Sequence, residues 1–166
     1  MRAYVGVGAN LGEREATILG AIDLLAVQPG VDVVGVSALR ETEPWGPVEQ
    51  PSYVNGAVAL ETDLAPRDLL DVLLDVERRF GRNRAMEVRW GPRTLDLDLL
   101  LHGDLVRDEP GLALPHPRLH ERRFVLEPLA EILPDRVHPV LGRTLRELLL
   151  SCKDDSQVKR LAGARA

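Results

Sequence analysis

Asp96 and Asp98 stand one residue apart within Thr94-Leu-Asp-Leu-Asp-Leu-Leu-Leu101, an otherwise apolar run with the look of a strand. Successive strand side chains point to opposite faces, so the two aspartates share one face while Leu95, Leu97 and Leu99 share the other. At about 3.3 Å per residue their Cα atoms lie roughly 6.6 Å apart, close enough for both carboxylates to hold one Mg²⁺ or a pair. Left alone, two such anions repel. A solvated outer strand face is the plain alternative, but the leucine-rich strand and the shaped Trp90-Gly-Pro-Arg93 lead-in favour metal binding.

Cations precede this strand. From Glu77 to Arg93 there are six arginines (78, 79, 82, 84, 89 and 93) and two glutamates (77 and 87), a local excess of +4 in a chain of net charge −5. Arg78 and Arg79 suit a helix C-terminus, where the dipole favours positive charge. Arg82, Arg84, Arg89 and Arg93 fall in a glycine-bounded loop whose guanidinium forks can clamp a polyphosphate and close over a nucleotide. Metal-binding carboxylates beside an arginine loop point to phosphate chemistry. No Gly-x-x-x-x-Gly-Lys-Ser/Thr or Gly-x-Gly-x-x-Gly sequence is present, so ATP would bind without a P-loop.

Of only six aromatic residues, Trp45, Tyr53, Trp90 and Phe124 fall in or beside loops. Each can be a packing plug, and four near one polar site can instead hold a flat heterocycle between rings. Asn55 shares a strand face with Tyr53 and can read a ring edge with both donor and acceptor. His116, in the turn Leu114-Pro-His-Pro117, either meets phosphate or nucleobase or packs within the turn. Pro117 separates it from His120, which argues against a zinc pair. Asn10 with Glu13 reads as a helix N-cap pair, and Gly8 and Gly12 as turn glycines.

The elements that must position these groups follow from periodicity. Residues 2–8 read as a strand, residues 13–27 as a helix with Ile18, Ala21, Ile22 and Leu25 on one stripe, and 31–40 and 53–62 as two further strands. The proline-rich stretch from Glu41 to Pro51 is a loop. Pro66 opens a second helix, with Leu69, Leu70, Leu73, Val76 and Phe80 on its stripe and Gly81 at its end. Residues 94–101 form the fourth strand. The order β-α-β-β-α-β predicts an α+β, ferredoxin-like split sandwich: an antiparallel sheet with two helices on one face and Asp96 and Asp98 on the uncovered side or its rim. Extra C-terminal helices are expected over 121–133, broken or kinked at Pro128, and near 144–150. Residues 1–152 read as a single catalytic domain and 153–166 as a frayed tail.

With 166 residues, one domain is expected. The acidic balance argues against nucleic acid or anionic membrane as partner, and any phosphate site must be a local patch. Cys152 is the only cysteine, which excludes an intrachain disulfide and fits a reducing cytoplasm. The N-terminus lacks a signal-peptide core, no apolar run approaches the roughly 20 residues that span a bilayer, and no fused partner enzyme is expected after the domain.

Tyr4-Val-Gly-Val-Gly-Ala-Asn-Leu-Gly12, Gln50-Pro-Ser-Tyr-Val-Asn55, Arg89-Trp-Gly-Pro-Arg-Thr-Leu-Asp-Leu-Asp98 and Leu114-Pro-His-Pro117 followed by Arg122-Arg-Phe124 together resemble the 6-hydroxymethyl-7,8-dihydropterin pyrophosphokinases of folate biosynthesis. The resemblance implies transfer of pyrophosphate from ATP to the pterin hydroxymethyl group with release of AMP, assisted by two Mg²⁺ ions on Asp96 and Asp98. It also implies Arg82 and Arg93 as catalytic phosphate contacts, and Glu77, Trp90, His116 and Arg122 at or near ATP. For the pterin it implies Tyr53 and Phe124 as sandwiching rings, Asn55 as the amide on its edge, and Thr42, Pro44 and Trp45 as the remaining lining. The chain departs from many relatives at Leu74, at Pro117 and in the loop from Asn83 to Arg89. A monomer acting on ATP and pterin alone is expected. An RNA-binding module would need aromatics along the central strands and a basic surface, and neither is present. A nucleotidyltransferase for another alcohol would share the carboxylates and arginines without needing the Tyr53, Asn55 and Phe124 set.

Overall fold

The computed structural model describes residues 1–42, 47, 49–81 and 94–161. Strands β1 (Arg2–Ala9), β2 (Val31–Val36), β3 (Arg40–Thr42), β4 (Tyr53–Thr62) and β5 (Asp96–His102) alternate with helices α1 (Arg14–Ala26) and α2 (Pro66–Arg79) in the expected split arrangement. The antiparallel order is β5-β1-β4, with β2 and β3 both paired to β4 on its far side. A short hairpin follows, β6 (Arg107–Glu109) with β7 (Leu112–Leu114), then α3 (Arg123–Ile132) and α4 (Leu145–Leu150). Among the described residues no helix is long and apolar enough to cross a membrane.

Alternation along the strands divides the core in two. Val5, Val7, Val54, Val58, Leu97 and Leu99 face α1 and α2, meeting Ile18, Ile22, Leu25, Leu69, Leu73 and Val76. Tyr4, Ala57, Ala59 and Leu100 face the other way, against Leu119, Leu126 and Leu129 of the α3 region and Leu145 and Leu148 of α4. The second face is therefore covered by C-terminal helices over part of its length, where the sequence pattern alone predicted an uncovered side.

Four local expectations change. The single strand expected over 31–40 divides into β2 and β3, because Ser37 interrupts the ladder: its N–H donates to the Ala57 carbonyl at 2.9 Å while its Oγ accepts the Ala57 N–H at 2.9 Å. Asn10 is not a cap; it is 2% exposed and its Nδ2 donates across the molecule to Gln50 Oε1 (2.8 Å) and the Pro51 carbonyl (3.0 Å). The reciprocal capping box belongs to α4 instead, between Thr144 and Glu147. Residues 153–161 are not a frayed tail: β8 (Val158–Arg160) pairs with β3, and Asp154 Oδ2 accepts the Arg123 N–H at 3.0 Å at the start of α3. α3 itself continues through Pro128.

Candidate active site

β5 is at an edge of the sheet, and its Asp96 and Asp98 point to the α3 face with Leu100. In register, Asp96 lies beside Gly8 of β1, which lies beside Asn55 of β4; one row further, Asp98 lies beside Gly6. Neither glycine carries a side chain, so β1 leaves a bare floor between the carboxylates and the amide. With neighbouring strands about 4.8 Å apart, Asp96 and Asn55 face each other across roughly 10 Å. Phe124 and Val125 of α3 complete the walls of this cleft. Gly8 is thus a strand residue and not the turn glycine expected from sequence; Gly12, with φ of +64°, is one.

The amide end is built on β3 and β4. Thr42 pairs with Tyr53, so Thr42, Tyr53 and Asn55 occupy one face, and Asn55 Nδ2 donates to Thr42 Oγ1 at 2.8 Å. Both Thr42 and Asn55 are buried. The turn from Leu114 to Pro117 returns the chain to β5, where the His116 N–H donates to the Leu100 carbonyl at 2.9 Å. This brings His116 and Arg122 into the electrostatic neighbourhood of the aspartates, with Arg118 beside both.

Burial, then the positive charge of Arg122, pushes the His116 imidazole down to about 4 against the opposing pull of Asp96. It is neutral at physiological pH. Burial likewise works against the charge of Arg122, whose guanidinium is supported by Asp98 and Asp96. That guanidinium also lies 5.7 Å from the centre of the Phe124 ring, linking the cationic side of the cleft to its aromatic wall. Arg118 is a cation of this cluster that the sequence reading passed over, although its place two residues after His116 was a signal.

Glu77, expected near the nucleotide, is 1% exposed, and its Oε2 accepts the Leu97 N–H at 2.8 Å from the helix side of β5. The carboxylate therefore holds the strand between its two aspartates. Pro44, Trp45, Arg82, Trp90 and Arg93, with Arg84 and Arg89, lie outside the described residues.

The donor set suits a hard divalent cation. Two same-face carboxylates on one strand match the one or two carboxylates by which Mg²⁺ is typically held, the rest of its shell being water and substrate phosphate. Among the described residues no cluster of three or more His, Cys, Asp or Glu side chains could form an all-protein metal cage.

The chain is similar to known proteins along most of its length. The family model for 7,8-dihydro-6-hydroxymethylpterin-pyrophosphokinase (HPPK) matches residues 4–134. The 2-amino-4-hydroxy-6-hydroxymethyldihydropteridine pyrophosphokinase of Pseudomonas aeruginosa is 47% identical over 163 residues, 98% of each chain. That of Methylorubrum extorquens is 47% identical over 161 residues, 96% of this chain and 98% of its own. Among solved structures, Plasmodium falciparum HPPK-DHPS with pteroate superposes with a TM-score of 0.71 at 15% identity, over 90% of this chain and 42% of that one. That likeness speaks for the fold.

Proposed function

The chain belongs to the 7,8-dihydro-6-hydroxymethylpterin-pyrophosphokinase family, whose members are ATP-dependent diphosphokinases of folate biosynthesis, and we propose that it moves the β,γ-pyrophosphoryl group of ATP in line onto the hydroxymethyl oxygen of 6-hydroxymethyl-7,8-dihydropterin. The hydroxymethyl oxygen gives up its proton and bonds to the β-phosphorus, the bond between the β-phosphorus and the oxygen that bridges it to the α-phosphorus breaks, and AMP leaves with that bridging oxygen. The observation that carries this reading is the row Asp96–Gly8–Asn55, with carboxylates at one end of a bare floor and a heterocycle-reading amide at the other.

Asp96 and Asp98 would hold Mg²⁺, two ions in this reading, which when bound neutralise the triphosphate and orient the attacking oxygen. Arg122 and Arg118 face the same region and supply fixed positive charge to the phosphates. Neutral His116 offers a hydrogen bond to phosphate or ribose without adding charge. Arg82 and Arg93 contact the phosphates in this reading, Trp90 serves the nucleotide, and Glu77 supports the nucleotide side from beneath β5. Tyr53 and Phe124 stack on the pterin rings, with Pro44 and Trp45 closing the lining beyond Thr42. No covalent protein intermediate is required, since phosphoryl-type transfer depends on positioning and charge neutralisation. The enzyme acts as a cytoplasmic monomer in this reading.

Chromatography of nucleotides after mixing protein, ATP, Mg²⁺ and the pterin tests the reaction. AMP formed only with all components present, matched by pyrophosphorylated pterin, is expected. ADP would mean single phosphoryl transfer, and no turnover would overturn the assignment.

A further inference from the structure

We propose that Asp154 of the C-terminal segment is a positioning residue of the active site, capping the first turn of α3 from 31 residues away and so holding Arg122 and Phe124 ready for the ligands; this rests on the reading of Arg122 and Phe124 as the nucleotide and pterin contacts. The start of α3 needs help that its own sequence does not give. The residue at its N-cap is Arg122, whose guanidinium has only donors and cannot accept a helix N–H. No acidic residue lies in the first turn, and Arg122 with Arg123 sets two cations at the positive end of the helix dipole. Local rules of this kind are broken where a residue serves another purpose. Here the arginine at the cap is the one that lies 5.7 Å from the centre of the Phe124 ring and is supported by Asp98 and Asp96.

Asp154 supplies what is missing. Its Oδ2 accepts the Arg123 N–H at 3.0 Å, and its backbone carbonyl accepts Arg123 Nε at 2.8 Å. Its Oδ1 accepts the Ser156 N–H at 3.0 Å and the Ser156 hydroxyl at 2.5 Å, which holds the carboxylate in that orientation. An anion on the first N–H of the helix replaces the absent cap and offsets both cations. Four residues further on, the same segment joins the sheet, Val158 pairing with Thr42 of β3. The segment therefore ties the first turn of α3 to the strand that carries Thr42. Arg123, fixed at its backbone and side chain, stands between the two residues that meet ligand, so anchoring it sets the direction of both neighbours. Without the anchor the turn frays, and ligand must order it on binding. That cost appears in KM, while the bound geometry, and with it kcat, changes little.

The test compares Asp154→Ala and Asp154→Asn with Thr144→Ala, which removes a cap of the same kind from α4, a helix that carries no site residue. KM for ATP and for 6-hydroxymethyl-7,8-dihydropterin, kcat and melting temperature are measured for each, with kinetics well below melting. Asp154→Ala is expected to raise both KM values about fivefold, the size of one lost helix cap, with kcat within about twofold of wild type. Asp154→Asn keeps an acceptor for the Arg123 N–H and should bring both KM values back to within about twofold of wild type. Thr144→Ala should lower the melting temperature by a similar few degrees and leave both KM values unchanged. If Asp154→Ala melts lower but keeps both wild-type KM values, Asp154 is merely structural and the inference is overturned. If Thr144→Ala raises KM as much as Asp154→Ala does, general loosening is the cause and the inference is overturned as well. Arg122→Ala and Phe124→Ala serve as references: wild-type KM values in both would overturn the site reading itself, and the positioning role with it.

Discussion

The two faces of the central sheet are made by the same strands, and they have opposite characters. Facing α1 and α2, alternate residues of β1, β4 and β5 are valine, leucine and alanine, broken only by Gly56 against Leu39. Facing α3 and α4, the positions between them are Gly6, Gly8, Asn55, Asp96 and Asp98 near one end and become apolar only at Tyr4, Ala57 and Leu100. Period-two alternation lets one face supply the burial that holds the strands while the other carries groups that burial would penalise. Stability and chemistry are separated by a single residue step along each strand.

Substitutions on either face should break or sharpen that division. The largest effect on turnover is expected from Asp96→Ala or Asp98→Ala. Loss of several kcal/mol of charge stabilisation, at about 1.4 kcal/mol per decade, predicts a fall in kcat of about 10²–10³-fold. The melting temperature should fall only slightly, because each change relieves the repulsion within the pair while removing a carboxylate that supports the Arg122 guanidinium. Near-wild-type kcat in either variant would sink the metal assignment. Leu73→Ala, on the buried face, should do the reverse: a fully buried leucine costs about 2–5 kcal/mol to truncate, read as a melting temperature lower by roughly 5–15 °C. Its substrate KM values should not move, and a selective rise in either would show that the faces are coupled.

Acid sensitivity is the next smaller effect. The His116 imidazole takes a proton near 6.5 when unfolded but only near about 4 in the fold. Between those values the unfolded chain binds more protons, so stability rises with pH, is fully present above about 6.5, and is lost as pH falls toward about 4. Without metal or nucleotide, the protein should melt a few degrees lower at about pH 5 than at about pH 7.5, and His116→Gln should narrow that gap. An unchanged gap would place the acid sensitivity elsewhere. The smallest effect is expected at Asp154, whose carboxylate accepts the first N–H of α3; burial pushes it up, but hydrogen bonds from Ser156 and the Arg123 backbone, together with the Arg123 charge, hold it below its ordinary range. Asp154→Ala should cost about 1 kcal/mol, like loss of a helix cap, and lower the melting temperature by roughly 2–4 °C. The contribution of this carboxylate is present above the ordinary aspartate range and fades as pH drops through it.

Most of the scaffold was legible in sequence because its signals are local. The helical stripes of α1 and α2, Pro66 and Gly81 at the ends of α2, and alternation in β4 and β5 each lie within one stretch of chain. At the site, the shared face of Asp96 and Asp98 and the Tyr53–Asn55 spacing were readable for the same reason. What escaped depends on partners far along the chain: Asn10 on Gln50, Glu77 on Leu97, Ala38 and Arg40 on Glu131, and the tail on β3. Gly8 was misread because a glycine that makes a turn and one that makes a floor look alike until the neighbouring strand is known.

The tail also governs how this sheet meets other molecules. β8 covers the edge of β3 beside Thr42, and it exposes Lys159 and Arg160 on a strand of three residues. At the opposite margin, Glu77 occupies the outward N–H of Leu97 and the His116 turn occupies the Leu100 carbonyl. Both rims are thus blunted against a further strand, one by short charged chain and the other by an internal carboxylate and turn. A chain cut before β8 would offer β3 as a bare template, and its first symptom would be self-association rather than a lost reaction.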